Sequence, residues 1–317
     1  MEAPVQVIET KRKQNQNKDP KKRRSRLETP LQRNLTAYGF LAPWLIGMLF
    51  LTVGSMMFTF YLAFTDYDLL TSPTWTGMDN FSNIWSDANF WDSIRATLVY
   101  VVLSVPARLI ASLLIALLLF KEVRGIGLYR ALIYLPSLIG GSVGVSIGWK
   151  KLFATDGPIN SFVGIFGVEG PNWIGNPSTA IMVLILLSVW QFGSEMVIFL
   201  AGLKQIPTYL YEAATIDGAS RIKSFFSVTL PMLSPIVFFN LLMGTISSFM
   251  VFTQVYIITG GGPMNSTLFY VYYLYQQAFT YYNMGYAAAL SIILLVIIAA
   301  FSGFIFLTSK YWVNYDV

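Results

Sequence analysis

The chain contains no cysteine and no histidine, and only 12% of its 317 residues are charged. Lack of Cys excludes disulfides and thiolate ligands. Lack of His excludes imidazole ligands and, with Cys, any nucleophilic site built on either residue. The most common general base is missing too, which argues against catalysis within the chain. No metal site is expected. An ordinary soluble domain is about 25% charged, so roughly half the usual charge is absent. Hydrophobic residues, at 55%, fill the deficit.

A helix crossing a hydrocarbon core about 30 Å thick needs about 20 mostly apolar residues. Six runs reach that length, at about 38–64, 96–120, 128–149, 179–203, 232–258 and 286–309. The expected fold is all-α, a multi-pass membrane protein with six transmembrane helices. We divide it into a basic tail (1–34), a membrane domain (35–312) containing a polar loop (204–231), and a short C-terminal tail (313–317). Ten of the 21 Lys and Arg lie in the first tail. Placed before a first span, they fit retention beside anionic lipid better than nucleic-acid binding. The first span is too long for the h-region of a cleaved signal peptide. With both termini cytoplasmic, 17 Lys and Arg fall inside and 3 outside, leaving Arg108 within the second span. No internal repeat is evident, and ionisable residues along a proton or Na⁺ path are scarce. Both points weaken an ion-driven carrier.

The polar loop holds the most specific pattern. Pro207 suits the first turn of a helix over Thr208–Asp217, with Leu210, Ala213 and Ala214 on one side. Ala213 and Ala214 keep a surface flat, and Glu212 offers a carboxylate to a partner's Arg or Lys. Gly218 permits the positive φ that ends the helix. A second helix over Arg221–Val228 leads to Leu230 and Pro231, which opens the fifth span. Glu212-Ala213-Ala214, Gly218, Val228, Leu230 and Pro231 together resemble the EAA loop of ABC importer permeases, with Val228 in place of Ile as the only departure. The resemblance implies that Glu212, Ala213, Ala214, Asp217, Gly218, Leu230 and Pro231 couple the chain to an ATPase.

Further stretches resemble the carbohydrate-uptake, maltose-transporter type of these permeases. They are Gly77–Phe81, Tyr129–Pro136, Ala201–Pro207 and Thr259–Pro263 with Ser266-Thr267. The family implies a type I importer bundle in a bacterial cytoplasmic membrane. It also implies a second homologous permease, two ATP-binding subunits and an extracytoplasmic solute-binding protein. Mg-ATP would sit in the partners, and this chain would be a non-catalytic transport subunit with no cofactor. The implied cargo is a sugar, with an oligosaccharide favoured. Glycerol-3-phosphate or another polyol-like solute is the alternative within the family.

Polar residues within spans face protein or a water-filled cavity. In the fourth span Gln191 and Glu195 are four residues apart and share a face, with Trp190 beside them. In the fifth, Asn240, Gly244, Ser247, Ser248, Val251 and Gln254 form a stripe, and Phe252 offers a face to a pyranose ring. These residues form the candidate substrate pathway, although Gly and Ser also suit plain helix packing. By the Thr259–Pro263 anchor, the family's sugar contacts map near Gly244, Ser247, Ser248 and Val251. The larger polar side chains of the maltose-type site are not reproduced there. Arg108 needs a counter-charge, since a charge at the bilayer centre costs about 2.5–3.5 kcal/mol. Its partner is either Glu195 or an acidic sugar such as a uronate.

Overall fold

The computed structural model describes residues 30–121 and 124–314. Residues 1–29 of the expected basic tail and 315–317 of the C-terminal tail lie outside the described residues. The chain divides into two compact units, one up to Thr59 and one from Phe60 onward. The first unit holds the helix Pro30–Gly47, a π-helical turn, Met48–Val53, and the start of Gly54–Leu62, whose last three residues belong to the second unit. Tyr38–Leu62 is long and apolar enough to cross a membrane.

The second unit begins with a short antiparallel pair, Thr65–Asp66 with Thr74–Trp75, the only sheet among the described residues. The helix Asp79–Ser86 follows. Asp87 then caps the second span, Ala88–Phe120, by accepting from the Asn89 amide at 2.9 Å. At 33 residues this helix is about 50 Å long, so it overruns the hydrocarbon at its ends. The sixth span, Met284–Ser309, is also continuous.

The other three spans are broken, where the sequence reading had one apolar run for each. The third is Ile126–Ile139 and Val143–Leu152, bent by 98°. Gly140, Gly141 and Ser142 interrupt it, and Ser142 restarts the helix by capping Val145 N at 3.3 Å. The fourth is Pro177–Trp190 and Gly193–Leu203, bent by 42° at Gln191-Phe192. The fifth corrects the expected entry at Pro231. Helix Arg221–Ser224 passes through a π-helical turn, Phe225–Thr229, into Leu230–Met232. A 66° bend at Leu233 then opens Ser234–Phe249. Pro235, with its missing amide in the first turn, starts that helix. The expected run to residue 258 also breaks, at Met250–Phe252, before the short helix Thr253–Ile258.

The end of the unit that carries residues 204–231 is called the inner end here. At the outer end, Asn80 Nδ2 donates to the carbonyls of Ala63 and Thr65 at 3.0 and 2.9 Å, and Gly285 N donates to Tyr67 O at 3.2 Å. Asp87 also accepts from the hydroxyls of Tyr286, at 2.8 Å, and Tyr273. Burial, then the Asp87 carboxylate, push the Tyr273 hydroxyl up to about 12, so it remains a donor. At the inner end, Arg130 Nη2 donates to Leu119 O at 2.8 Å, and Asn314 N donates to Ser234 Oγ at 2.9 Å. Ends that alternate crossings should bring together do meet. A Cβ on Gly285 would lie 2.0 Å from Thr65 O, a backbone atom that cannot swing aside. Gly285→Ala is therefore expected to cost about 1–3 kcal/mol, read as a lower thermal unfolding midpoint in detergent.

Two apolar clusters hold the unit together. The outer one includes Phe90, Tyr100, Leu187, Phe249, Phe269 and Leu290. The inner one includes Ala116, Leu119, Met196, Phe199, Leu203 and Leu233. Lipid is as apolar as these side chains, so close packing and polar contacts, more than water exclusion, hold such helices together. The polar residues of the second, fourth and fifth spans lie between the two clusters.

Candidate substrate cavity and docking loop

The polar layer contains a cavity of about 260 Å³. The second span contributes Tyr100 and Arg108, and the fourth contributes Leu184, Leu187, Ser188 and Gln191. The break in the fifth supplies the rest of the wall, from Ser247 and Ser248 through Met250–Gln254. Seven of the residues named from sequence thus meet there: Arg108, Gln191, Ser247, Ser248, Val251, Phe252 and Gln254. Ser248 Oγ is buried without a hydrogen-bond partner among the described residues.

Arg108 Nε lies 3.0 Å from Glu195 Oε1, and both side chains are 14% exposed. Gly244 makes room for this pair, since a Cβ there would come within 3.2 Å of Arg108 Nη2. Glu195 itself does not line the cavity. Trp190 is placed elsewhere: it packs on Trp149, ring centroids 5.6 Å apart, beside the outer cluster. Asn240 is buried outside the cavity wall, with its Nδ2 unpartnered among the described residues.

Side chains repair the broken helices at this depth. Gln191 Nε2 donates to Gly140 O at 3.2 Å, tying the break of the fourth span to that of the third. Ser112 Oγ bonds the carbonyls of Arg108, at 2.6 Å, and Phe192, at 3.2 Å. Such irregular backbone is tolerated inside a membrane only where protein covers it or a water-filled cavity meets it. Sequence reasoning missed Tyr100, Ser112, Ser188 and Thr253. Tyr100, Ser104, Arg108 and Ser112 recur every four residues on one helix face, and that period was the available signal.

At the inner end, Thr208–Ile216 forms the expected helix. Asp217 is its C-cap, and Gly218 follows at φ +71° with its amide 3.0 Å from Thr215 O. Ser220 caps the next turn, and Tyr211 OH lies 3.0 Å from Thr229 Oγ1, closing the hairpin. The faces differ from the sequence reading. Leu210 and Tyr211 pack against the inner cluster and Ala214 is half-buried, whereas Glu212, Ala213, Asp217 and Gly218 are exposed. Leu230 and Pro231 sit in the bent entry to the fifth span. Tyr209 and Ile216, three residues before and four after Glu212 and so beside it on the helix, are also exposed, Ile216 to 86%, as are Ile222 and Phe226 in the turns that follow. An apolar patch with a charged centre is what a protein partner would cover.

Residues 87–309 match the model of the family described as "Binding-protein-dependent transport system inner membrane component". The chain is 50% identical to the probable ABC transporter permease protein YesP of Bacillus subtilis, over 89% of this chain and 93% of that protein. It is 32% identical to the trehalose/maltose transport system permease protein MalF of Thermococcus litoralis, over 84% and 90%. Among solved structures, a bacterial ABC transporter involved in the import of the acidic polysaccharide alginate matches with a TM-score of 0.77. That alignment is 22% identical and covers 88% of this chain and 96% of the other.

Proposed function

The chain belongs to the family of inner membrane components of binding-protein-dependent transport systems, and from that premise we propose that it moves an oligosaccharide through the cavity around Arg108. It is a multi-pass permease of an ABC importer. Its coupling surface is the exposed part of the EAA loop, Glu212, Ala213, Asp217 and Gly218, with Ala214, Leu230 and Pro231 shaping the hairpin behind it. Its partners are a second permease, two ATP-binding subunits that bind Mg-ATP, and an extracytoplasmic binding protein that delivers the sugar. ATP is hydrolysed in those subunits, and this chain carries no catalytic residue. The docking loop faces the cytoplasm of a bacterial cell.

The observation that carries this reading is the meeting of two helix breaks, those of the fourth and fifth spans, at one polar cavity, with the third span's break tied to it through Gln191. Donors and acceptors from Arg108, Gln191, Ser248 and Gln254 suit sugar hydroxyls, and the Phe252 ring suits a pyranose face. The saccharides named for the Thermococcus and alginate systems support the same class of cargo. Glycerol-3-phosphate is less favoured, because the cavity's one cation is already paired with Glu195.

In the reconstituted complex, Ser248→Leu would fill part of the cavity. It is expected to lower sugar uptake about tenfold, the scale of one or two misplaced methylenes. ATP hydrolysis without sugar should be unchanged. Undiminished uptake in both Ser248→Leu and Gln254→Leu would show that the path runs elsewhere.

A further inference from the structure

We propose that a second sugar subsite lies at the outer mouth, between the second and fourth spans and the loop after the fifth. The proposal rests on the sugar-permease reading above. A separate cavity of about 310 Å³ occurs there. On the fourth span, Pro177 and Ile181 line this outer cavity, whereas Leu184, Ser188 and Gln191 line the inner one. Steps of three and four residues put all five on one helix face, so the two cavities follow one another along it. The inner cavity, at about 260 Å³, is smaller than the roughly 300–1,000 Å³ usual for small-molecule sites. A saccharide that outgrows it has to extend, and this face leads outward.

The outer cavity is built by a held loop. Met264 and Asn265 have φ of +50° and +59°, a left-handed conformation that non-glycine residues rarely adopt. Consecutive residues of this kind persist only where their surroundings fix them. Here Thr267 Oγ1 donates to Gly262 O at 2.6 Å, and Ser266 N donates to Pro263 O at 3.0 Å. Asn265 Nδ2 donates to Asn89 Oδ1 at 3.0 Å and Asp92 Oδ2 at 3.1 Å, pinning the loop to the start of the second span.

Two polar groups are left over. Arg95 forms no ion pair among the described residues, and Ser266 Oγ is enclosed without a hydrogen-bond partner there. The guanidinium presents a planar fork of donors, which suits neighbouring hydroxyls of a pyranose. Asp92 can accept from the same ring. One cation and one anion balance, so recognition is through hydroxyls rather than net charge. Val99, Ile181 and Met264 supply apolar walls for the ring's C–H face. Met264, 89% exposed, stands at the rim with a flexible thioether.

The test uses the complete transporter with its binding protein in proteoliposomes. Probes are gluco-, galacto- and galacturono-oligosaccharides from disaccharide to pentasaccharide. In Arg95→Ala and Ser266→Leu, uptake of trisaccharides and longer chains should fall about tenfold, the scale of a lost hydrogen bond to a charged group. Disaccharide uptake and the stimulation of ATP hydrolysis by loaded binding protein should stay at parental values. Arg95→Lys should restore only part of the loss, since a point charge replaces the fork. Equal losses at every chain length together with lost ATPase stimulation would make the cavity a binding-protein contact and overturn the proposal. So would unchanged uptake at every length. If the parental transporter carries none of these saccharides, the sugar reading itself fails, and the subsite with it.

Discussion

Replacing Arg108 or Glu195 singly by Gln is expected to destabilise the protein by about 3–5 kcal/mol, because each change strands a buried charge. Their 3.0 Å contact and 14% exposure put the pair well inside the protein. Measured as the thermal midpoint of the detergent-solubilised protein, both single variants should fall by similar amounts. Replacing both residues by Met should recover most of that loss, since a buried pair is often matched in stability by apolar residues of similar size. Transport by the double variant should remain low, because the cavity loses its guanidinium. Single variants as stable as the parent, with only acidic sugars lost, would instead assign Arg108 to the cargo.

The second large effect is expected at the docking loop. Glu212→Lys should lower transport about ten- to a hundredfold, the equivalent of losing a hydrogen bond between charged groups worth about 1.5–3 kcal/mol. Sugar capture by the isolated binding protein should be unaffected. Gly218→Pro should do the same by another route. Proline holds φ near −65° and has no amide, whereas Gly218 sits at +71° and donates to Thr215 O. Nothing lies within 4 Å of a Cβ at this position, so the backbone angle alone requires glycine. Gly218→Ala should therefore lose only about 1–2 kcal/mol locally. Sugar-stimulated ATP hydrolysis of the assembled complex reports the coupling. Parental rates in both Glu212→Lys and Gly218→Pro would remove this loop from the docking surface.

How much of this was legible follows from what hydropathy records. Six apolar runs announce six crossings, because length and composition alone select a span. The hairpin at Glu212–Gly218 was legible because Pro207 and Gly218 act through local backbone geometry. The breaks were not, because averaged hydropathy is blind to a few residues of irregular backbone. Gly140-Gly141-Ser142 and Gln191-Phe192-Gly193 are weak local signals whose effect depends on Gln191 reaching Gly140 across 51 positions. The stripe through Ser247, Ser248, Val251 and Gln254 was found as one helical period, yet the structure ends that helix at Phe249, leaving Val251 in the break and Gln254 in the next short helix. Trp190 and Asn240 show the converse. Polarity marked Asn240 and its place beside Gln191 marked Trp190, but packing against other elements takes both out of the cavity.

The inner half of the fourth span, Gly193–Leu203, has a mechanical consequence. It is a rod about 16 Å long with Glu195 in its first turn and the docking helix only a few residues beyond its last. A push or pull delivered at Ile216 or Glu212 passes the short link 204–207 and then runs along this one rod to the counter-ion of Arg108. At Gln191-Phe192 that rod ends in a 42° bend, beyond which Pro177–Trp190 continues as a separate helix. The bend beside the polar cavity is thus the joint at which displacement of the inner end can become rotation.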